Sequence, residues 1–217
     1  MSAQAPAAKP SPERTWWLRT LAVFQSPQSV FAALRNDSEE AVEARQEPVL
    51  ALVILAAIAA VLTSPTTGTL MNNAERDSLE VAVLVFLAGL IYGVAGYWVG
   101  GGALYLGARA AGSTRSYRQA RHTLAFAAAP IALSLVVLWP VEIAVYGSDL
   151  FRTGGSDSGS AGRWVFRGIE AGFYLWSFAL LVLGIRAVNR WPVVRSLGAL
   201  GLTAFALVAI ALVPSLV

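Results

Sequence analysis

The sequence predicts an all-α fold, a polytopic integral membrane bundle of five transmembrane helices with amphipathic interfacial helices at its N-terminus. Three observations carry this. The chain of 217 residues is 56% hydrophobic and 13% charged, where a soluble domain carries about 25% charged residues, and its mean hydropathy is +0.60. Its apolar residues gather in five segments, at about 48–64, 80–108, 121–146, 164–185 and 197–213. The second of these runs from Val81 to Ala108 without a charge and carries seven glycines. In water each glycine would cost a helix about 1 kcal/mol relative to alanine. Lipid offers the backbone no competing hydrogen-bond partner, so there the helix persists and its small residues admit a close neighbour. Gly89 with Gly93, and Gly96 with Gly100, stand four apart and predict a packing seam, as do Gly168 and Gly172 in the fourth segment.

Composition also excludes functions. The chain has no cysteine and one histidine, His122, which removes thiolate chemistry, disulfides, iron–sulfur ligation and clustered His/Cys metal sites. No metal, cofactor or catalytic residue is expected. Of the sixteen basic residues all but Lys9 are arginine; with the abundant alanine and glycine, this bias points to a GC-rich, bacterial genome. A net charge of +3 gives no reason to expect nucleic acid as a partner.

Taken in order, residues 1–12 are rich in alanine and proline and read as a disordered tail, without the charged start and cleavage site of a signal peptide. Residues 13–47 hold short helices and, from Asp37 to Glu47, an acidic linker that itself reads as helical. Trp16, Trp17, Leu18, Leu21 and Phe24 make a greasy face, and Ser26-Pro27 marks a helix start with proline at its first position. Val30, Phe31 and Leu34 line the helix that follows. Neither helix is long enough to cross, so each suits either the headgroup level or a cap packed on the bundle. Asp37 and Glu40 have capping-box spacing at the head of the linker. Within 48–217, the first segment is short for a hydrocarbon core of about 30 Å, and Pro130 and Pro140 predict kinks in the third.

Charge decides the topology. With five spans, twelve basic residues share a side and only Arg76, Arg152, Arg163 and Arg167 lie opposite; with four spans the division falls to nine against seven. The positive-inside rule therefore favours five spans in the cell membrane, with the N-terminus cytoplasmic and the C-terminus outside. Trp139 and Trp164 fall near the outer boundary and Trp191 near the inner one. In the outer loop, Gly154-Gly155-Ser156-Asp157 is a single copy of a calcium-repeat-like stretch, which is not a repeat.

Two constellations could carry chemistry. Glu142, Arg167 and Glu170 are the ionisable residues deepest in the spans, near their outer ends, where an unpaired charge is costly. They read either as an intramembrane polar cluster for a transported proton, cation or headgroup, or as an ion pair that orients the fourth helix. On the inner side, Arg109, Arg115, Arg118 and Arg121 form a basic turn, the last three at i, i+3 spacing. This turn, with Trp16, Trp17 and Phe31, is the candidate surface for anionic lipid headgroups or protein partners. His122, beside Arg121 where the third span begins, is expected at the interface. No HExxH or GxSxG motif is present, and Ser134 lies mid-span with no base to activate it.

The order of SP-x-x-VFAAL (Ser26 to Leu34), a weak first span, a glycine-rich second span, the stretch AGSTRSYRQARHTLAFAAAP (Ala111 to Pro130) and the ending WSFALLVLGIRAV (Trp176 to Val188) resembles the bacterial branch of the Yip family, whose eukaryotic members interact with Rab GTPases. The resemblance implies a five-helix bundle with a cytoplasmic N-terminus. It also implies links to membrane shaping and vesicle traffic, but the family's DLYGP-type motif is absent, so GTPase binding is not carried over. The expectation is a non-enzymatic scaffold or lipid-organising factor, with membrane lipids, further copies of itself or other membrane proteins as partners. A small transporter or lipid translocator using the outer cluster is the alternative.

Overall fold

The computed structural model describes residues 12–72, 78–147, 150 and 160–212. The tail up to residue 11, Arg76, Arg152, the Gly154–Asp157 stretch and residues 213–217 lie outside the described residues. The helices are α1 (Pro12–Ala22), α2 (Pro27–Ala33), α3 (Glu39–Leu62), α4 (Pro65–Met71), α5 (Ser78–Ala110), α6 (Tyr117–Ala127), α7 (Ala129–Tyr146), α8 (Ala161–Asn189) and α9 (Val193–Leu212). Among the described residues, five helical spans are long and apolar enough to cross a membrane: α3, α5, α6 with α7, α8 and α9.

The helix ends follow from local chemistry. Ser26 stands at the N-cap position of α2 without a side-chain capping bond, and Pro27 opens the helix. Residues 39–47 are helical, as the sequence suggests, and run without a break into the first span. Ser38, not Asp37, is the cap of α3, its hydroxyl accepting from the Ala41 N–H, so the acidic residues form the first turns of the first spanning helix. That helix is therefore longer than its apolar stretch. The third span breaks at Ala128, where Pro130 follows in the first turn of α7 and cannot donate to the preceding turn. The Ser177 hydroxyl of α8 donates to the Ala127 carbonyl beside this break, supplying a partner at a point where lipid could not.

The glycine helix α5 is central, packing against α3, α4, α6 and α9. A Cβ on Gly89 would stand 2.5 Å from Ile58 Cγ1, and one on Gly93 would stand 3.2 Å from Ala57 Cβ. This half of the expected seam is the α3–α5 contact. The other half is displaced. Gly96 has nothing within 4 Å and borders a cavity, while Gly100 meets only Leu124. The close approaches fall instead at Gly101, against Arg121 of α6, and at Gly107, where the Ala199 carbonyl of α9 lies 2.6 Å from the Cβ position. Gly168 and Gly172 meet no described neighbour within 4 Å and are exposed, so no described helix of this chain packs on them. The working glycine of α8 is Gly184, whose Cβ would stand 2.9 Å from the Phe31 ring.

Side chains such as Ile91, Leu106, Leu175 and Phe205 project outward from the bundle, as lipid-facing residues do. The best-packed core lies at one end, where α1 and α2 join the spans. There Val23, Val30, Phe31, Leu34, Val49, Phe126 and Leu180 are buried together.

Gly89→Val should lower stability by about 1–3 kcal/mol, the usual cost of overpacking, read as a lower midpoint of thermal unfolding in detergent. Gly168→Ala should be neutral or mildly stabilising, by up to about 1 kcal/mol from helix propensity.

Candidate functional site

One end of the bundle carries most of the described arginines: Arg19, Arg35, Arg45, Arg109, Arg115, Arg118, Arg121, Arg186, Arg190 and Arg195, whereas Arg163 and Arg167 lie at the other end. This basic end is organised around Arg45. Placed two turns into α3, its side chain is 0% exposed. Its Nε donates to His122 Nδ1 at 2.7 Å, its Nη1 to the Asn36 carbonyl at 2.8 Å and its Nη2 to Asp37 Oδ1 at 3.2 Å. A guanidinium can only donate, so His122 accepts through Nδ1 and carries its ring proton on Nε2. The same imidazole stacks on Tyr97, with ring centroids 6.5 Å apart.

The network continues into the turn before α6. Asp37 Oδ2 accepts from the Ser116 hydroxyl at 2.6 Å. Ser116 in turn caps α6 in a reciprocal capping box with Gln119, the Ser-x-x-Gln spacing that favours such a start. The Gln119 amide nitrogen donates to the carbonyls of Leu34 and Arg35, which the end of α2 would otherwise leave without partners. A cap on one helix thus closes the end of another.

This arrangement settles where the short N-terminal helices sit. Trp16 is 4% and Phe31 0% exposed, so neither is a lipid-contact residue. Trp16 packs on Phe126 at 5.7 Å and lies beneath the guanidinia of Arg19 and Arg45, and Phe31 fills the space opposite Gly184. The outward face of α1 is Trp17, Leu18 and Leu21, at 43%, 56% and 67% exposure. His122 is likewise buried rather than interfacial, at 3% exposure.

The basic turn is divided. Arg121 is held among three aromatic rings, its guanidinium 3.8 Å from the Trp98 centroid, 4.6 Å from Tyr117 and 4.9 Å from Tyr97. Its buried Nε has no hydrogen-bond partner among the described residues. Gly101 makes room for its stem, and Tyr117 is fixed by donating to the Trp98 carbonyl. Arg121 is a packing residue and leaves the candidate surface. Arg109 donates to the Ser113 carbonyl and is exposed, while Arg115 and Arg118 are half-buried. Gly112, at φ +91°, turns the chain after α5, and Arg195 caps that turn by donating from Nε and Nη2 to the Ala111 carbonyl.

At the other end the expected Arg167–Glu170 ion pair is absent among the described residues. Arg167 lies over the Trp164 ring. Glu142 is 8% exposed and makes no hydrogen bond or ion pair with a described residue. A cavity of about 730 Å³ opens between α3, α4, α5 and α6, lined by small and apolar residues including Ala57, Ala60, Gly93, Gly96 and Tyr97. Glu142, Arg167 and Glu170 do not border it. Among the described residues no group of His, Asp and Glu is placed to hold a metal ion.

A long-helix bundle with an apolar outer surface, five crossing-length spans and one arginine-rich end defines a multi-pass α-helical membrane protein. A family model described as the Yip1 domain matches residues 21–214, and the chain belongs to the Yip family. No curated protein and no solved structure matches it.

His122→Ala removes the acceptor for Arg45 Nε and should cost about 1–3 kcal/mol, as a buried donor left without a partner does. His122→Gln keeps an acceptor and should retain more of that stability. Thermal unfolding of both variants in one detergent compares them.

Proposed function

We propose that this protein is a non-enzymatic membrane scaffold or lipid-organising factor whose basic end faces the cytoplasm and engages anionic lipid headgroups. The observation that supports this reading is the state of the arginines at that end. Asp37 pairs with Arg45, whereas Arg35, Arg115, Arg118, Arg186 and Arg190 have no ion-pair partner among the described residues. Basic residues close to an anionic surface each contribute about 1 kcal/mol of attraction. The outward Trp17, Leu18 and Leu21 of α1 would add apolar contact at the same level. Other membrane proteins or further copies of the chain are the partners such a surface would gather.

The second reading, a small transporter or lipid translocator, draws on Glu142, since a buried carboxyl group that pairs with no described residue is costly and often functional. Against it, the large cavity stops short of Glu142.

In nanodiscs containing phosphatidylcholine and phosphatidylglycerol, the double variant Arg115→Gln/Arg118→Gln should lower enrichment of the anionic lipid around the protein by about 1–2 kcal/mol. Glu142→Gln should leave it unchanged. A proton or lipid flux in proteoliposomes that Glu142→Gln abolishes would favour transport instead. Orientation is testable without background, because the chain has no cysteine. Thr114→Cys should label only from the cytoplasm and Ser156→Cys only from outside, with Thr114 preferred to Ser116 because the latter caps α6.

A further inference from the structure

We infer that the basic end carries a discrete binding site for an anionic phosphate group, between the end of α2 and the end of α8. A cavity of about 370 Å³ lies there, bordered by Arg35 of the turn after α2, Arg186 and Arg190 at the end of α8, and Trp191. Ala32, Leu183 and Ala187 supply apolar wall and Gln28 a further polar group. The inference deepens the lipid-engaging reading of this end and rests on it only for the source of the phosphate.

Four observations carry it. First, other arginines of this end are committed elsewhere: Arg45 to Asp37 and His122, Arg121 to its aromatic box, Arg109 and Arg195 to carbonyl groups. The side chains of Arg186 and Arg190 make no hydrogen bond or ion pair with a described residue; their only bonds are backbone ones at the end of α8, where the Arg190 and Trp191 N–H groups donate to the Arg186 carbonyl. The Arg35 side chain uses Nε alone, on the Ala32 carbonyl; both its terminal nitrogens are without a partner among the described residues, and the residue borders the cavity.

Second, the charge does not cancel. α2 and α8 both end here, and a helix C-terminus carries about half a negative charge. Two such ends offset about one of the three guanidinium charges, so the cavity stays cationic.

Third, Arg190 occupies a left-handed backbone position, φ 58° and ψ 39°, as the C-cap of α8. Glycine or asparagine is the usual residue there. The strained conformation turns the chain so that Arg190 and Trp191 both border the same space.

Fourth, the lining combines apolar residues, Ala32, Leu183, Ala187 and Trp191, with three arginines. Trp191 is buried, with Arg195 stacked at 4.4 Å, so it is a rigid wall. A phosphate carried on a glycerol or acyl body would meet both kinds of residue, whereas free phosphate would use only the arginines. Arginine forks suit phosphate oxygens better than any other side chain.

The test uses the full chain in nanodiscs, with three probes: phosphatidylglycerol in a phosphatidylcholine bilayer, phosphatidylcholine alone, and inorganic phosphate added to the latter. Retained lipid is counted by native mass spectrometry and free phosphate is followed by phosphorus NMR line broadening. Arg186→Gln and Arg190→Gly should each weaken retention of the anionic lipid by about five- to tenfold, the equivalent of one charged contact. Arg190→Gly should at the same time raise the unfolding temperature, because glycine relieves the left-handed cap. Loss of binding in a more stable protein cannot be a folding defect.

Broadening of inorganic phosphate that both variants abolish would make a soluble phosphate the ligand. Retention of phosphatidylglycerol without such broadening would make it a lipid headgroup. Binding of both probes undiminished in both variants, or of neither in the wild type, overturns the site. If Arg115→Gln/Arg118→Gln strips the anionic lipid while Arg186→Gln and Arg190→Gly do not, this site fails and the broader reading survives. The opposite pattern confines lipid recognition to the site.

Discussion

The rest of the structure depends on one buried cation. Taking a guanidinium out of water costs several kcal/mol unless every donor is matched and the charge is balanced. Each nitrogen of Arg45 finds an acceptor: an imidazole nitrogen of α6, and a backbone carbonyl and a balancing carboxylate of the α2–α3 turn. Because no single element supplies these partners, the α2–α3 turn, the start of α3 and the start of α6 hold one another in place. Asp37 extends the constraint to Ser116, and Gln119 extends it to the end of α2. The two short N-terminal helices are thereby part of the bundle, although neither could cross a membrane. Trp16 and Phe31 fill the core that this docking creates.

The same constraint divides the arginines. Those held inside the fold, Arg45 and Arg195 by hydrogen bonds and Arg121 by aromatic rings, shape the basic end without being available to a partner. Those left over, Arg35, Arg115, Arg118, Arg186 and Arg190, make it a cationic surface. Counting basic residues therefore overstates the free cationic surface, and the contacts each arginine makes define it. Arg121 shows this best: it completes the i, i+3 row with Arg115 and Arg118, yet it lies within a cage of Tyr97, Trp98 and Tyr117.

Much of the architecture was legible in the sequence. Hydropathy marked the five spans, Ser26-Pro27 the start of α2, Pro130 a kink in the third span, and Gly89 with Gly93 a packing seam, whose partner, α3, only the structure supplied. What stayed hidden has physical causes. Arg45 and His122 are 77 residues apart, and Asp37 and Ser116 are 79, so no local spacing links them. The face of α1 was ambiguous because Trp16 and Trp17 are equally apolar, and a bilayer removes the contrast between core and surroundings that fixes a helix in water. Glycine spacing is permissive rather than decisive. Gly168 and Gly172 have the same interval as Gly89 and Gly93 but face no described helix, whereas Gly101, Gly107 and Gly184 are close contacts that the interval did not mark. The unpaired arginines beside Trp191 were visible only as part of a charge tally.

The most direct test of the account is amide hydrogen exchange of the intact protein in a neutral-lipid nanodisc. If the Arg45 network makes the N-terminal helices part of the core, amides of α2 and the later turns of α1 should be protected to a degree similar to those of α6. Exchange of α1 and α2 at near-unprotected rates while α6 stays protected would contradict it, and would return these helices to the membrane surface as loosely held amphipathic segments.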